Sequence, residues 1–469
     1  MDMYLFPFNE VPHGSQIIIY GAGTVGQTYL HQVVMTKYCN LICIADRNPS
    51  QYQSLSVDVL EVGEALKREF DYIIIANASS KWANEIIHML INTYNIPISQ
   101  IIYKNEYLEP IHVVRYDENS LYEKYVNSLA FSQKRKYTIS IHLEGGFGDY
   151  IVRKNNIIDV SQWDENILID IYVSKGKKSF TEHLLKDVSN INIISDEDAL
   201  YFISKKKYLA AFRFTAYLIV DNIEDRKDLP FSLSRRLHTI QTKYDNYGLR
   251  EGGVSFAIHY ARCKKDGFNC YTAYNRYGGF DVKEQKTSIP LIEKYKYDFN
   301  NLGIENYVTV NYGWDRNQKK IPAKVWPFEY LRELTLMIKE SYSRINVVQI
   351  GMKDSPLLDG CIQIIDKNIE LVKYILLHSR LHIDCEGGMV HLATQLGTKC
   401  AVVFGPTPVD YYGYEQNINI VPDSCSDCYW YVPDCVSCYR GMDKPICMYE
   451  STPEKVFKAI SDELEDISR

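Results

Sequence analysis

Three times in this chain a short apolar run ends in a glycine-rich turn that opens a stretch with helical spacing. These are "QIIIYGAGTVG" from Gln16, "YTISIHLEGGFGDYIV" from Tyr137 and "RLHIDCEGGMVHLATQLG" from Arg380. A strand that gives way to a helix through a tight turn is the βα unit of a parallel sheet. Such turns lie at the carboxyl ends of the strands, where open α/β folds bind their ligands. The pattern predicts α/β units in series, each with one loop fit to hold a ligand.

At 469 residues the chain is too long for one ordinary core, so two or three domains are expected. Residues 1–110 read as a small Rossmann-like unit, although only about half of a doubly wound domain is legible there. Residues 111–136 are charged and irregular, ending in "SQKRK", and read as a linker. A second unit spans 137–305, and a third spans 306–469, with a cysteine-rich segment at 425–447. The chain ends in "TPEKVFKAISDELEDIS", an amphipathic helix with Thr452 as cap and Pro453 in its first turn. Residues 225–300 are polar and tyrosine-rich and show no clear pattern; the 38 tyrosines of the chain suggest extended aromatic surface.

A composition of 46% hydrophobic and 24% charged residues is that of a globular chain. The net charge of −7 argues against a general nucleic-acid binder, while leaving room for locally basic clefts. The opening "MDMYLFPFNEVPHG" lacks the basic start and apolar core of a signal peptide, and no run suits a membrane span. A cytoplasmic location is expected, with peripheral membrane contact left open. There, twelve cysteines read as reduced thiols or metal ligands rather than disulfides.

Two loops could do chemistry. Glu386, Gly387 and Gly388 sit where a buried strand meets a helix N-terminus, whose free N–H groups favour anions. The bland reading is a tight turn, with His391 a satisfied core histidine. Asp149, at the start of the helix after "EGGFG", is either a cap worth about 1 kcal/mol or a general base facing a substrate hydroxyl. Between the loops, "NYGWDRNQKKIPAKVWP" places Lys319, Lys320 and Lys324 just past a strand end. They are either solvated surface or partners for a leaving diphosphate.

The order "GGFGDYIV", "KVWP", "VVQIGMKD", "DCEGGMVHLATQLGTKCAVVFGPTP", "CSDC" and "TPEKV" resembles glycosyltransferase family 9, the heptosyltransferase family, over about residues 137–460. The resemblance implies a GT-B fold: two Rossmann-like domains facing across a cleft, with a terminal helix crossing back. It also implies transfer of a sugar, usually heptose from an ADP-activated donor, with inversion and no catalytic metal. Asp149 matches the acid that deprotonates the acceptor, and Lys324 the lysine that contacts donor phosphate. Glu386, Gly387, Gly388 and His391 match the donor-binding turn, which commonly reads Asp-small-Gly-x-x-His; here Glu386 replaces the aspartate and a second glycine follows. Gly351 and Asp354 fall where the family contacts the nucleotide, and Thr407 of "FGPT" where a hydroxyl could donate to a phosphate or sugar. The implied partners are a nucleotide-diphosphate sugar, with ADP-heptose favoured, and a surface-glycan or protein acceptor. Homo-oligomerisation is left open.

Two features stand apart. "CSDCYWYVPDCVSCYRGMDKPIC" holds two Cys-x2-Cys pairs and a fifth cysteine, where four thiolates suffice for tetrahedral zinc or iron. The family pattern favours Cys425, Cys428, Cys447 and either Cys438 or Cys435 around a structural metal; the alternative is a set of reduced thiols. In the first unit, Gly21, Gly23 and Gly26, with Asp46 twenty residues further on, meet the dinucleotide fingerprint and suggest NAD(P) or another nucleotide. That unit binds a nucleotide, braces an oligomer, or does neither. A rival function is therefore an NAD(P)-dependent sugar-nucleotide oxidoreductase or epimerase centred there. A second rival is a scaffold that binds a sugar nucleotide without turnover.

Overall fold

The computed structural model describes residues 3–468 other than 9, 37, 53–54, 56, 105, 109–128, 131–136, 196–197, 248–252, 315–320 and 432–436. Most of the linker at 111–136, Lys319, Lys320 and Cys435 lie outside the described residues.

Three parallel-rich sheets follow one another along the chain. In the first, Val59–Leu60, Asn40–Ala45, Gln16–Tyr20, Tyr72–Ile75 and Ile101–Ile102 lie side by side, all parallel. The unit is thus fuller than the half domain legible in sequence, because its two edge strands are only two residues long. The second sheet orders Ile191–Ser195, Ile167–Val173, Tyr137–Leu143, Ala210–Phe214 and Leu218–Ile223, with only the last strand antiparallel. The third orders Ile362–Ile365, Asn346–Gly351, Tyr307–Asn311, His382–Cys385, Cys400–Val403 and Ile418–Ile420, all parallel. Central strands such as Ile17–Ile19 and Ile139–Ile141 are buried on both faces, which is why they read as unbroken apolar runs.

In each of these three sheets the first strand lies between the second and the fourth, so the strand order reverses beside it. A crevice opens at such a reversal, outside the carboxyl ends of the strands. The glycine turns after Tyr20, Leu143 and Cys385 all end strands that border these crevices.

Most tyrosines in the middle of the tyrosine-rich stretch turn inward, which corrects the expectation of extended aromatic surface there, while Tyr297 stays exposed. Residues 225–300 form helices at Phe231–Tyr247, Gly253–Asp266 and Lys294–Asn300, with a helical turn at Ala273–Tyr277. Tyr260, Tyr271, Tyr274 and Tyr277 are all buried. A phenol can be buried when its hydroxyl finds a partner. Tyr271 meets the Tyr414 hydroxyl at 2.8 Å, and Tyr274 donates to the Thr215 carbonyl at 2.8 Å. The Tyr271–Tyr414 contact ties the second unit to the third, as does Tyr260 donating to Asp410 at 2.8 Å.

The terminal helix Pro453–Ser468 starts as read, with the Lys455 N–H donating to Thr452 Oγ1 at 3.3 Å. It packs on the Phe328–Ser341 helix and beside Ile418–Ile420 of its own unit, instead of crossing back. No helix among the described residues is long and apolar enough to cross a membrane.

Candidate active site

Two helix N-termini converge on one cavity. The Phe147–Ser161 helix leaves the "EGGFGD" turn of the second unit, and the Gly388–Leu396 helix leaves the "CEGG" turn of the third. They meet through their glycines: a Cβ on Gly148 would lie 2.9 Å from His391 Cδ2 and 3.0 Å from Gly388 Cα. Carbon atoms ordinarily approach to about 3.5–4.0 Å, so only glycine permits this contact. The cavity at the junction has a volume of about 410 Å3 and is walled by both turns together with Thr215, Ala216, Lys324, Tyr412, Tyr429 and Trp430. Unpaired N–H groups and the positive dipole ends of two helices face it together, which favours an anion.

Asp149 lies at this junction. Its Oδ2 accepts the Gly146 N–H at 2.7 Å, a cap from the third helical residue back to the N-cap backbone, and Asp149 also lines the cavity. Cap and base are therefore compatible roles for a single carboxylate. Gly145 takes φ +100°, and a Cβ there would lie 2.2 Å from Asp149 Oδ2, so glycine makes room for the acid. Lys177 donates to the Gly145 carbonyl and so clamps the turn from the next βα connection.

Across the cavity, Lys324 Nζ lies 3.3 Å from Glu386 Oε2 and 5.1 Å from the centre of the Tyr429 ring. Burial opposes the lysine's charge, but the Glu386 carboxylate outweighs it and the pKa is raised, so the ammonium persists at neutral pH. Glu386 Oε1 lies 3.7 Å from His391 Nε2, and His391 Nδ1 lies 2.6 Å from the Tyr414 hydroxyl. Burial pushes the His391 pKa down against the pull of Glu386 and Asp149, leaving a neutral imidazole. The longer side chain of glutamate here reaches both the lysine and the histidine.

A second, larger cavity of about 760 Å3 adjoins the first and shares Phe147 with it. Its walls include Asn311, Tyr312, Trp314, Gly351, Asp366 and Met389, from the carboxyl ends of the third sheet. The structure thus gathers Asp149, Lys324, Glu386, Gly387, Gly388 and His391 around one cavity and places Gly351 in the next. Asp354 lies in the turn beyond Gly351, whose neighbours Met352 and Ser355 line the larger cavity. Thr407 is buried outside the lining of both, its hydroxyl without a partner among the described residues. Glu144, Thr215, Tyr412, Tyr429 and Trp430 were not singled out in sequence. Only Glu144 carried a signal, as the first residue of the glycine turn.

Of the cysteines, Cys425 and Cys447 are electrostatically coupled, which draws the Cys425 thiol's pKa down and pushes that of Cys447 up. Cys428 and Cys438 act on Cys447 electrostatically. Among the described residues no group of three or more ligands has metal-site geometry. Cys428 and Tyr439 pack into the core of the first unit, with Tyr439 bonded to Gln32 and Phe8 edge-on to Tyr439. The cysteine segment is therefore where the first unit is docked. In that unit, Asp46 Oδ2 accepts the Ala22 N–H at 2.7 Å and its Oδ1 the Asn48 N–H at 2.9 Å, while Gly21 takes φ +113°. Gly23 has open space around it.

No family model and no curated protein matches the chain. Solved structures do. The glycosyl transferase family 9 protein of Veillonella parvula is 13% identical, covering 71% of this chain and 98% of its own, with a TM-score of 0.41. The ADP-heptose lipopolysaccharide heptosyltransferase II of E. coli is 12% identical, covering 70% and 99%, with a TM-score of 0.40. The iron-containing dodecameric glycosyltransferase TibC of enterotoxigenic E. coli is 11% identical, covering 70% and 76%, with a TM-score of 0.45. None of the three reaches a TM-score of 0.5, and the cleft's own residues carry the functional reading.

Proposed function

We propose that this chain is an inverting glycosyltransferase of the family 9 kind, moving a sugar, heptose by preference, from a nucleotide-diphosphate donor to a glycan or protein acceptor. The carrying observation is the convergence of two helix N-termini and Lys324 on the cavity that Asp149 lines. The nucleoside would occupy the larger cavity beside Gly351, with the diphosphate at Gly387–Gly388 and Lys324. Asp149 takes the proton of the acceptor hydroxyl as that oxygen bonds the anomeric carbon. The bond from that carbon to the diphosphate oxygen breaks, and its electron pair leaves with the nucleotide. Charge growing on the leaving group is met by the Gly388 helix N-terminus and Lys324.

Asp149→Asn separates base from cap, because the amide oxygen can still accept the Gly146 N–H. Transfer should fall by about 10²–10⁴-fold while donor affinity and melting temperature hold. Transfer at the parent rate would remove Asp149 from the mechanism. In the same proposal, Cys425, Cys428, Cys447 and Cys438 or Cys435 hold a structural zinc or iron; the paired Cys-x2-Cys spacing, with Cys425, Cys428 and Cys438 all within electrostatic reach of Cys447, supports this.

A further inference from the structure

The first unit carries a cavity of about 340 Å3 at the carboxyl ends of its strands, beside the reversal in strand order. Packing accounts for two of its three fingerprint glycines, Gly21 and Gly26. A Cβ on Gly21 would lie 2.7 Å from the Ala76 carbonyl oxygen, and one on Gly26 would lie 1.7 Å from the Gly21 carbonyl oxygen. In a dinucleotide site the loop's N–H groups face a pyrophosphate, and the acid faces a ribose. Here Asp46 has closed onto the Ala22 N–H of the loop itself, so neither group is left in that arrangement. The volume is at the small end of the roughly 300–1,000 Å3 of small-molecule sites.

The walls nevertheless point to a ligand. Tyr20 is 3% exposed, and among the described residues no group accepts the proton of its hydroxyl. A buried polar group without a partner is costly, so a ligand atom that meets it is favoured. The exposed Arg47 side chain lines the same cavity and acts on that hydroxyl as a cation and hydrogen-bond donor, which leaves the phenol's own proton to give. Trp82, on the Ser80–Asn92 helix, is 51% exposed on the same cavity wall, and Asn77 contributes an amide whose Oδ1 is already bonded to the Ser79 N–H. A half-exposed indole with the Lys81 ammonium 5.8 Å from its ring centre, a guanidinium and a phenol with a proton to give, around so small a space, match a base, a phosphate and a ribose. We propose that the first unit binds one mononucleotide, a nucleoside mono- or diphosphate, with its base on Trp82, its phosphate on Arg47 and a ribose or phosphate oxygen on the Tyr20 hydroxyl.

The test is equilibrium dialysis of the full chain with radiolabelled ADP and, separately, UDP, against Arg47→Ala, Trp82→Ala and Lys324→Ala. Arg47 and Trp82 are exposed, so their variants should fold; an unchanged melting temperature confirms it. Arg47→Ala should weaken one binding event by on the order of tenfold or more, the loss expected for a charge-assisted bond. Trp82→Ala should weaken the same event. Lys324→Ala should weaken only the separate event in the central cleft. If Arg47→Ala removes a nucleotide and Lys324→Ala removes none, this proposal stands and the glycosyltransferase reading falls. Nucleotide binding that is indifferent to both Arg47→Ala and Trp82→Ala overturns it. So does an Arg47-dependent site that prefers NAD+ to every mononucleotide.

Discussion

Gly148→Ala tests whether the two glycine turns form one site. In an ordinary first turn of a helix this change lowers the entropy of the unfolded chain and stabilises by about 0.4–1 kcal/mol. At Gly148 the new methyl would lie 2.9 Å from His391 Cδ2 and 3.0 Å from Gly388 Cα. Both neighbours belong to the opposite unit, and one of them is backbone. Relieving the overlap to ordinary contact requires the helix N-termini to part by about 0.5 Å or more. Overpacking of this kind costs about 1–3 kcal/mol, which exceeds the gain, so the net sign is destabilising. The melting temperature should fall by a few degrees, at about 2–4 °C per kcal/mol for a unit of this size. Displacement of the cavity walls should also weaken transfer by up to about 100-fold. Gly63→Ala is the control, since a Cβ there meets nothing within 4 Å; its melting temperature should hold or rise. A Gly148→Ala protein that behaves like the control, in scanning calorimetry and in donor titration, would refute the contact between the turns.

Other expectations follow from the same geometry. Lys324→Ala leaves Glu386 buried without its cation, and should lower stability by about 1–3 kcal/mol in urea titration at pH 7. His259 and His391 are buried neutral, their pKa values pushed down by burial. Each lends stability that is present above the unfolded-state value near 6.5 and lost as pH falls below it. The unfolding free energy should therefore drop between pH 6.5 and 5 by up to about 2.7 kcal/mol per pH unit, and His259→Gln should flatten that slope. Cys428→Ser should lower metal content, read by plasma emission spectrometry, together with melting temperature; unchanged metal content would refute a role for that thiol as a ligand.

Much of the site was legible because its residues lie at strand–turn–helix junctions that sequence marks plainly. Glu386, Gly388 and Asp149 each follow an apolar strand, and the sheets bring those junctions to one cleft. The rest depended on long-range contacts. Tyr412, Tyr429 and Trp430 reach the cavity from loops whose local pattern says nothing about a cleft. The strand Ala210–Phe214 went unseen because it turns tightly into Leu218–Ile223, and because Arg213 interrupts its apolar run. That arginine is tolerated inside because Asp221 Oδ2 lies 2.8 Å from its Nε. The buried tyrosines misled composition for a similar reason: hydroxyl pairing between distant residues is invisible to local pattern. Of the glycines that match a fingerprint in the first unit, Gly21 and Gly26 pack the loop against Ala76 and Gly21, a contact local pattern does not show, while Gly23 has open space around it.

The most direct test of the central claim is a thermal-shift panel of ADP-heptose and the UDP, GDP and CMP sugars, run on the parent chain and on Lys324→Ala. A ligand that binds only the folded chain raises its melting temperature by mass action, by about 2.7 kcal/mol at a hundredfold excess over Kd. One sugar nucleotide should raise the parent's melting temperature selectively, and Lys324→Ala should abolish that rise. A panel with no shift, or a shift that survives in Lys324→Ala, would contradict a donor diphosphate held in the cleft between the two glycine turns.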